Sequence, residues 1–148
     1  MGITITCKNP KYDFGMSYHA FFNLRKNIAR CINDYFGSLY EKLMLYPGTY
    51  LDDGYLVESK AENYINDNPN IFPEEDNDIL DFLFESDCEG KIRHKTCKKI
   101  ADLLEKNYDR LNLKNKEFRY GYHSHEDYKE FIDFLRDCYS HRKNMEWY

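Results

Sequence analysis

The sequence predicts a mainly helical α+β domain, with about five helices and a small antiparallel sheet. Apolar residues recur at spacings of three and four over most of the chain, which is typical of amphipathic helices. Ile3 and Ile5 alternate with threonines, which is typical of a strand, and residues 145–148 predict another strand. Because 148 residues can bury one substantial core, we predict a single domain over residues 1–148.

The first elements follow from turn residues and helical periodicity. Residues 2–7 form the predicted first strand, an Asn-Pro pair marks a turn, and residues 11–14 return as the second strand of a hairpin. Ser17 is a suitable N-cap for a long helix over residues 18–36. A Phe-Gly-Ser run then ends or bends this helix before a shorter helix over residues 39–44.

The middle of the chain contains a long polar segment. Pro47 and Gly48 break the helical pattern, and residues 47–57 are rich in tyrosine, aspartate and glycine, which predicts a loop. Residues 59–66 predict one or two helical turns. If the domain has a segment that adapts to a partner, we expect it within residues 46–73.

Two helices joined by a tight corner, residues 82–92, form the predicted centre of the fold. Pro73 suits the first turn of one helix, whose apolar run ends at Phe84. Gly90 is expected in a left-handed conformation at a helix end, and Thr96 is the predicted N-cap of the next helix. The apolar residues of that helix share one face: Ile100, Leu103, Leu104, Tyr108 and Leu111.

The last part of the chain predicts a strand, a helix and a strand. Residues 118–122 alternate in polarity, and Ser124 with Asp127 fits a capping box that starts the last helix. Residues 145–148 then form a strand that we expect to pair with the N-terminal hairpin or with residues 118–122. The hairpin, residues 118–122 and the C-terminal strand make up the predicted sheet.

Composition and charge narrow the class of protein. The net charge is −5, so we expect no direct nucleic-acid binding. From Ala61 to Gly90 there are ten Asp or Glu and no Lys or Arg, which fits either a solvated surface or contact with a basic partner.

Most of the five cysteines fall at apolar helical positions, and no run is apolar enough to span a membrane. We therefore predict a cytoplasmic protein without disulfides.

The patterns that suggest chemistry are incomplete. An EF-hand alignment of the corner puts Thr96 where calcium needs a bidentate Glu. His123 and His125, with Glu126 beside them, can be read as metal ligands, but they suit a helix N-terminus equally well. Cys88 lies between two acids, whose negative charges disfavour a thiolate nucleophile. We predict no catalytic residue, no metal site and no cofactor.

Arg25 is the most informative polar residue. It interrupts the aromatic face of the first long helix, so we expect partial burial and a carboxylate partner, for which Asp87 or Glu85 would serve. The alternative is an anion-binding pocket in which Arg25 acts with Ser86 and nearby tyrosines. The predicted binding residues are Arg25, Ser86, Asp87, Glu89, Tyr120 and Tyr122.

Residues 86–90 read Ser-Asp-Cys-Glu-Gly, and Cys97 opens a helix containing Ile, Ala and Leu. This pattern resembles a group of small uncharacterised bacterial and bacteriophage proteins, in which a His-Ser-Asp-Cys-Asp/Glu-Gly turn precedes a cysteine and a Leu/Ala helix. Glu85 replaces the histidine here. The resemblance covers most of residues 14–148, except 46–75, and implies a bacterial or phage context without implying an activity.

Together these features predict a non-catalytic binding protein of phage or prophage type in the cytoplasm of a bacterial host cell. It would act as an inhibitor or counter-defence factor by binding a host protein through the acidic residues 61–90 and exposed tyrosines. The alternative is a protein that sequesters a nucleotide or other small anionic ligand in a pocket around Arg25, Ser86 and Tyr120. A deep aromatic pocket at Arg25 would favour sequestration, and a flat acidic and aromatic surface would favour protein binding.

Overall fold

Six α-helices and one four-stranded sheet make up the computed structural model, which describes residues 2–7, 13–111 and 123–148. The helices are α1 (Tyr18–Ile32), α2 (Asp34–Leu45), α3 (Val57–Asp67), α4 (Asn77–Phe84), α5 (His94–Lys106) and α6 (His125–Ser140). The strands are β1 (Gly2–Thr6), β2 (Phe14–Ser17), β3 (Gly90–Ile92) and β4 (Met145–Trp147). The predicted mainly helical α+β fold is confirmed. Within the described residues, no helix combines the length and the apolar character needed to cross a bilayer.

The strands are antiparallel and lie in the order β2-β1-β4-β3. β1 and β2 form the predicted hairpin, although β2 starts only at Phe14. The predicted C-terminal strand pairs with β1, where Ile5 faces Trp147. β3 completes the sheet from within the corner, where the sequence predicted no strand. Residues 118–122, from which we predicted a strand, lie outside the described residues.

One face of the sheet packs against the helices. Alternate residues of β1 and β4 are buried, including Ile5, Met145 and Trp147. The ring of Trp147 contacts the ring of Phe21 in α1, with centroids 5.6 Å apart. Because α1 also contacts α2, α4 and α5, it runs through the core, and most of its side chains are buried.

α1 ends earlier than predicted because Asn33 starts a new helix. The backbone of Asn33 is extended, and its side-chain oxygen accepts a hydrogen bond from the Phe36 N–H at 3.0 Å. Asn is a favoured N-cap, since its short side chain satisfies an N–H that has no partner within the helix. Gly37, at the predicted break, lies inside α2, where a Cβ would overlap the side chain of Arg30. This glycine permits close packing of α2 on α1 and does not end a helix.

The serine caps predicted for two helices are confirmed. Ser17 accepts a hydrogen bond from the Ala20 N–H at 3.1 Å and starts α1. Ser124 accepts one from the Asp127 N–H at 3.1 Å, and the Asp127 carboxylate accepts one from the Ser124 N–H at 2.8 Å. This reciprocal pair is the capping box of α6.

The predicted cap of α5 is wrong, because the helix begins at His94 and places Thr96 in its first turn. Thr96 is buried, and its hydroxyl donates to Oδ2 of Asp78 in α4 at 2.7 Å. Lys99 donates to the other oxygen of the same carboxylate at 3.1 Å. Thr96 therefore links the two central helices across the corner.

Gly90 is also not the left-handed residue that we predicted. Positive φ values occur in the described glycines at Gly48 and Gly54, whereas Gly90 begins β3 and pairs with Trp147. A Cβ at this position would overlap the six-membered ring of the Trp147 indole. The glycine is needed because an aromatic side chain lies directly against the backbone.

Candidate functional site

Arg25, the centre of the predicted site, binds main-chain carbonyls. Its side chain is 1% exposed, and Nη2 donates to the carbonyl oxygens of Phe82 at 2.8 Å, Leu83 at 2.7 Å and Glu85. These carbonyls lie at the C-terminal end of α4, where no intrahelical donors remain. The expected ion pair with the carboxylate of Glu85 or Asp87 is therefore wrong, because the helix terminus supplies the acceptors.

The guanidinium of Arg25 also packs between two aromatic rings. Its central carbon lies 5.0 Å from the ring centroid of Phe21 and 5.6 Å from that of Phe82. The ring faces and the C-terminal end of a helix are both partially negative, so both stabilise a buried cation. Desolvation nevertheless lowers the pKa of Arg25 below its ordinary value. Arg25 acts here as a helix cap that joins α1 to α4.

Two further side chains bind carbonyls of the same corner. The Tyr40 hydroxyl of α2 donates to the Leu83 carbonyl at 2.7 Å, and Nε1 of Trp147 in β4 donates to the Ser86 carbonyl at 2.9 Å. Leaving a buried carbonyl without a partner costs about 1–3 kcal/mol. Side chains from three elements prevent that cost along residues 82–86, so the corner is a structural junction.

Tyr40 gives the junction a dependence on alkaline pH. Burial raises its pKa from 10.0 to about 12. As the pH rises, the unfolded chain loses this proton first, so the stabilisation is complete below pH 10 and is lost as the pH rises through about 12. Urea unfolding between about pH 9 and pH 12 measures the loss. We expect Tyr40→Phe to reduce the slope by up to about 1.4 kcal/mol per pH unit; an unchanged slope would contradict this assignment.

The remaining part of the predicted site is the exposed loop between α4 and β3. Ser86 accepts a hydrogen bond from the Cys88 N–H at 3.1 Å, which closes the turn. Asp87 and Glu89 are exposed, and the Cys88 thiol donates weakly to Oδ1 of Asp87 at 3.4 Å. Arg25 is buried beneath this loop, close enough for the negative charges of Asp87 and Glu85 to oppose the desolvation that lowers its pKa. Two predicted members lie outside the described residues: Tyr120 and Tyr122.

The predicted histidine pair is engaged with main-chain carbonyls. Nε2 of His123 lies 2.8 Å from the Ala20 carbonyl, and Nε2 of His125 lies 2.8 Å from the Tyr108 carbonyl. The ring of His125 also stacks on the ring of Tyr108, with centroids 3.7 Å apart. In the part of the chain that the structure describes, no three His, Cys, Asp or Glu side chains are arranged to hold a metal ion.

Four exposed tyrosines lie together beside α2 and the loop that follows it, and we call them the tyrosine surface. Tyr35, Tyr46, Tyr50 and Tyr55 expose 49%, 63%, 67% and 59% of their areas. They line two adjoining cavities of about 510 Å³ and about 310 Å³, and Tyr35 belongs to both. The predicted binding residues include none of the four. The signals for this surface were the high tyrosine content and the tyrosine-rich loop at residues 47–57.

The backbone of the loop between α2 and α3 is held in shape by its own hydrogen bonds. The Leu51 N–H donates to the Tyr55 carbonyl at 2.8 Å, and the Gly54 N–H donates to the Leu51 carbonyl at 2.9 Å. Oδ1 of Asp53 accepts from the Tyr55 N–H at 3.2 Å. Gly54 has a φ of 83°, which residues with a Cβ rarely adopt. These hydrogen bonds hold the loop backbone in one conformation, while its aromatic side chains face outward.

The other side of the tyrosine surface is tied to the core. The ring of Tyr35 packs edge-on against Tyr64 of α3, with centroids 4.8 Å apart. The Tyr64 hydroxyl donates to Oδ1 of Asn33 at 3.1 Å, and its ring contacts buried Phe72 at 6.0 Å. Tyr35 consequently stands on a fixed support although half of it is exposed.

The corner and the tyrosine surface use their charged and aromatic side chains differently. The corner uses its cation and its aromatic donors to satisfy backbone carbonyls. The tyrosine surface leaves four aromatic side chains accessible beside charged ones.

The chain matches no protein-family model, no curated protein and no solved structure.

Proposed function

We propose that this is a non-catalytic binding protein that docks a partner protein on the tyrosine surface. The observation that carries the proposal is the convergence of Tyr35, Tyr46, Tyr50 and Tyr55 on one fixed part of the molecule. Tyrosine is enriched at the centres of protein interfaces, because its ring buries a large area and its hydroxyl still finds a polar partner. Contiguous exposed aromatic area of this kind is typical of interaction sites.

The fixed loop backbone adds to this argument. A recognition loop that is already ordered loses little conformational entropy when a partner binds. The hydrogen bonds of Leu51, Gly54 and Asp53 meet that condition without using the tyrosine side chains. Tyrosine side chains have few rotatable bonds, so their immobilisation also costs little. These features favour protein recognition over a merely solvated surface.

The sequence resemblance suggests a more specific form of the proposal. The protein would be an inhibitor or counter-defence factor that binds a host protein in the bacterial cytoplasm.

The alternative of anion sequestration at Arg25 has less support, because Nη2 of that residue already donates to three carbonyls and the side chain is 1% exposed. Because the side chain is buried, an anion has almost no access to the guanidinium.

Two matched tyrosine variants test the proposed surface. Tyr50 and Tyr148 expose 67% and 66%, but Tyr148 lies beside the corner loop, in a depression that Ser86 and Glu89 also line. The tagged protein is used to isolate a partner from a bacterial lysate, and the affinity of the purified partner is measured for Tyr50→Ser and Tyr148→Ser. Because interface tyrosines commonly act as hot spots, we expect Tyr50→Ser to weaken binding by roughly thirtyfold and Tyr148→Ser to have little effect.

Other outcomes of this comparison would argue against the proposal. Loss of affinity only in Tyr148→Ser would move the binding site to the corner. Equal affinities for the wild type and both variants would remove tyrosine side chains from the interface. A chain that isolates no partner, while far-UV circular dichroism shows it folded, would contradict protein binding itself.

A further inference from the structure

Lys60 of α3 occupies the point where the two cavities of the tyrosine surface meet. Its ammonium forms an ion pair with Oδ2 of Asp53 and lies 5.9 Å from the ring centroid of Tyr55. Tyr35 lines both cavities with it. The side chains of Lys60 and Asp53 are 34% and 42% exposed, so solvent and larger molecules can reach the pair. A cation is therefore already held between the Asp53 carboxylate and the Tyr55 ring.

This arrangement has the chemistry of a receptor for cationic side chains. The faces of tyrosine rings attract ammonium and guanidinium groups, and a carboxylate adds charge and hydrogen-bond acceptors. The hydrogen bond from Lys60 lowers the pKa of Asp53 in the free protein. An aspartate carboxylate is ionised at neutral pH without that bond as well, so it stays negative when Lys60 leaves. Two more carboxylates, Asp52 and Asp67, line the same cavities, where the cations are Lys42 and Lys60. Once Lys60 moves aside, the acids predominate.

We propose that Tyr35, Tyr55 and Asp53 receive an arginine or lysine side chain of the partner, and that Lys60 occupies this receptor in the free protein. The inference rests on the proposed function, because it states what the partner of the tyrosine surface presents. Arginine fits especially well, since its planar guanidinium can stack on a tyrosine ring while it donates two hydrogen bonds to one carboxylate. Lys60 can swing into solvent, because a lysine side chain is long and flexible.

Lys98 has a carboxylate and a tyrosine ring as neighbours, as Lys60 does, but it does not line the cavities of the tyrosine surface. Lys98 of α5 binds Oδ2 of Asp102 at 2.8 Å and lies 5.9 Å from the ring centroid of Tyr139. The Asp102 carboxylate is shared with Arg136 of α6, at 3.0 Å, so this cluster links two packed helices. Lys98 lines none of the cavities described here. It therefore provides a matched control with the same chemistry in a structural role.

A titration with a small probe tests the receptor directly. N-acetyl-arginine amide is titrated into the ¹⁵N-labelled wild-type protein, Lys60→Gln and Lys98→Gln, and binding is followed by NMR chemical shifts. We expect the probe to shift signals of residues around Tyr35 and Tyr55. Removal of the resident cation should tighten binding in Lys60→Gln by about fivefold, whereas Lys98→Gln should bind as the wild type does. The uncharged N-acetyl-glutamine amide should produce no comparable shifts.

The possible failures are distinguishable from failures of the proposed function. An unchanged or weaker affinity of the arginine probe for Lys60→Gln would overturn the receptor. Equal shifts with the arginine and glutamine probes would also overturn it, because cation recognition is its basis. Neither result alters the Tyr50→Ser comparison, which uses the partner itself. If the probe binds as expected but no partner depends on Tyr50, the proposed function fails while the cation site remains.

Discussion

Replacement of Arg25 with methionine is expected to lower the free energy of unfolding by about 3–5 kcal/mol. Methionine fills much of the volume of the arginine stem, but it donates no hydrogen bonds. The carbonyls of Phe82 and Glu85 then lose the hydrogen bond from Arg25. The Leu83 carbonyl loses it as well but still accepts one from the Tyr40 hydroxyl. Urea denaturation at pH 7 measures the change, and an unaltered m-value would show that the same surface is exposed on unfolding.

Arg136→Met is the matched control for this substitution. Arg136 also binds several acceptors, the carboxylates of Asp102 and Glu105, but its side chain is 39% exposed. Exposed ion pairs contribute about 0–1 kcal/mol, so we expect a small loss. If Arg25→Met cost no more than Arg136→Met, the corner would not depend on Arg25, and the account of Arg25 as a helix cap would be wrong.

Substitution of Gly90 by alanine is expected to cost about 3 kcal/mol, because the new Cβ would overlap the Trp147 indole. The indole has little room to move. It is 1% exposed, it contacts the rings of Phe21 and Phe82 with centroids 5.6 Å away in each case, and its Nε1 donates to the Ser86 carbonyl. Urea unfolding measures the loss, and the tryptophan fluorescence reports on the displaced indole, since the chain has one tryptophan.

Gly15→Ala controls for the intrinsic effect of replacing a strand glycine. Gly15 lies in β2, its φ is not positive, and a Cβ there would meet nothing within 4 Å. Alanine restricts the unfolded chain more than glycine does, so we expect a gain of about 0.4–1 kcal/mol. Equal stability of the Gly90→Ala and Gly15→Ala proteins would contradict the close contact between Gly90 and Trp147.

The parts of the fold that the sequence predicted depend on local chemistry. Helical periodicity identified the central helices, and the caps at Ser17 and Ser124 followed from side chains that bond to their own first turn. The two terminal strands were predicted from their residue types, and pairing of the C-terminal strand with the N-terminal hairpin was one of two predicted arrangements. Such signals require only neighbouring residues, so they can be recognised without knowledge of tertiary contacts.

The errors arose where distant residues meet. Nothing near Arg25 in the sequence shows that its acceptors are carbonyls of α4, some sixty positions away. Gly90 was assigned to a helix end because glycine is common there, whereas the deciding neighbour is Trp147. Threonine is a favoured N-cap, which predicts that role for Thr96, but its acceptor, Asp78, lies on another helix. In each case a tertiary contact determined the role of the residue.

The sequence indicated that exposed tyrosines take part in binding, but not which tyrosines lie together. Exposed tyrosines were part of the predicted protein-binding surface, and residues 46–73 were the expected place for a partner-adapting segment. Which tyrosines converge depends on how the loop after α2 turns back toward α3, through the hydrogen bonds between Leu51, Gly54 and Tyr55. It also depends on the packing of Tyr35 against Tyr64, which joins two helices. Neither feature can be derived from spacing alone.

Hydrogen–deuterium exchange of the protein, alone and bound to its isolated partner, tests the central claim most directly. If the partner docks on the tyrosine surface, binding slows hydrogen exchange in residues 46–57, including the amides of Leu51 and Gly54. We expect a smaller effect in α3. The loop at residues 85–89 should exchange at the same rate in both states. Protection confined to residues 85–89, with residues 46–57 unchanged, would contradict the account and return the binding site to the corner.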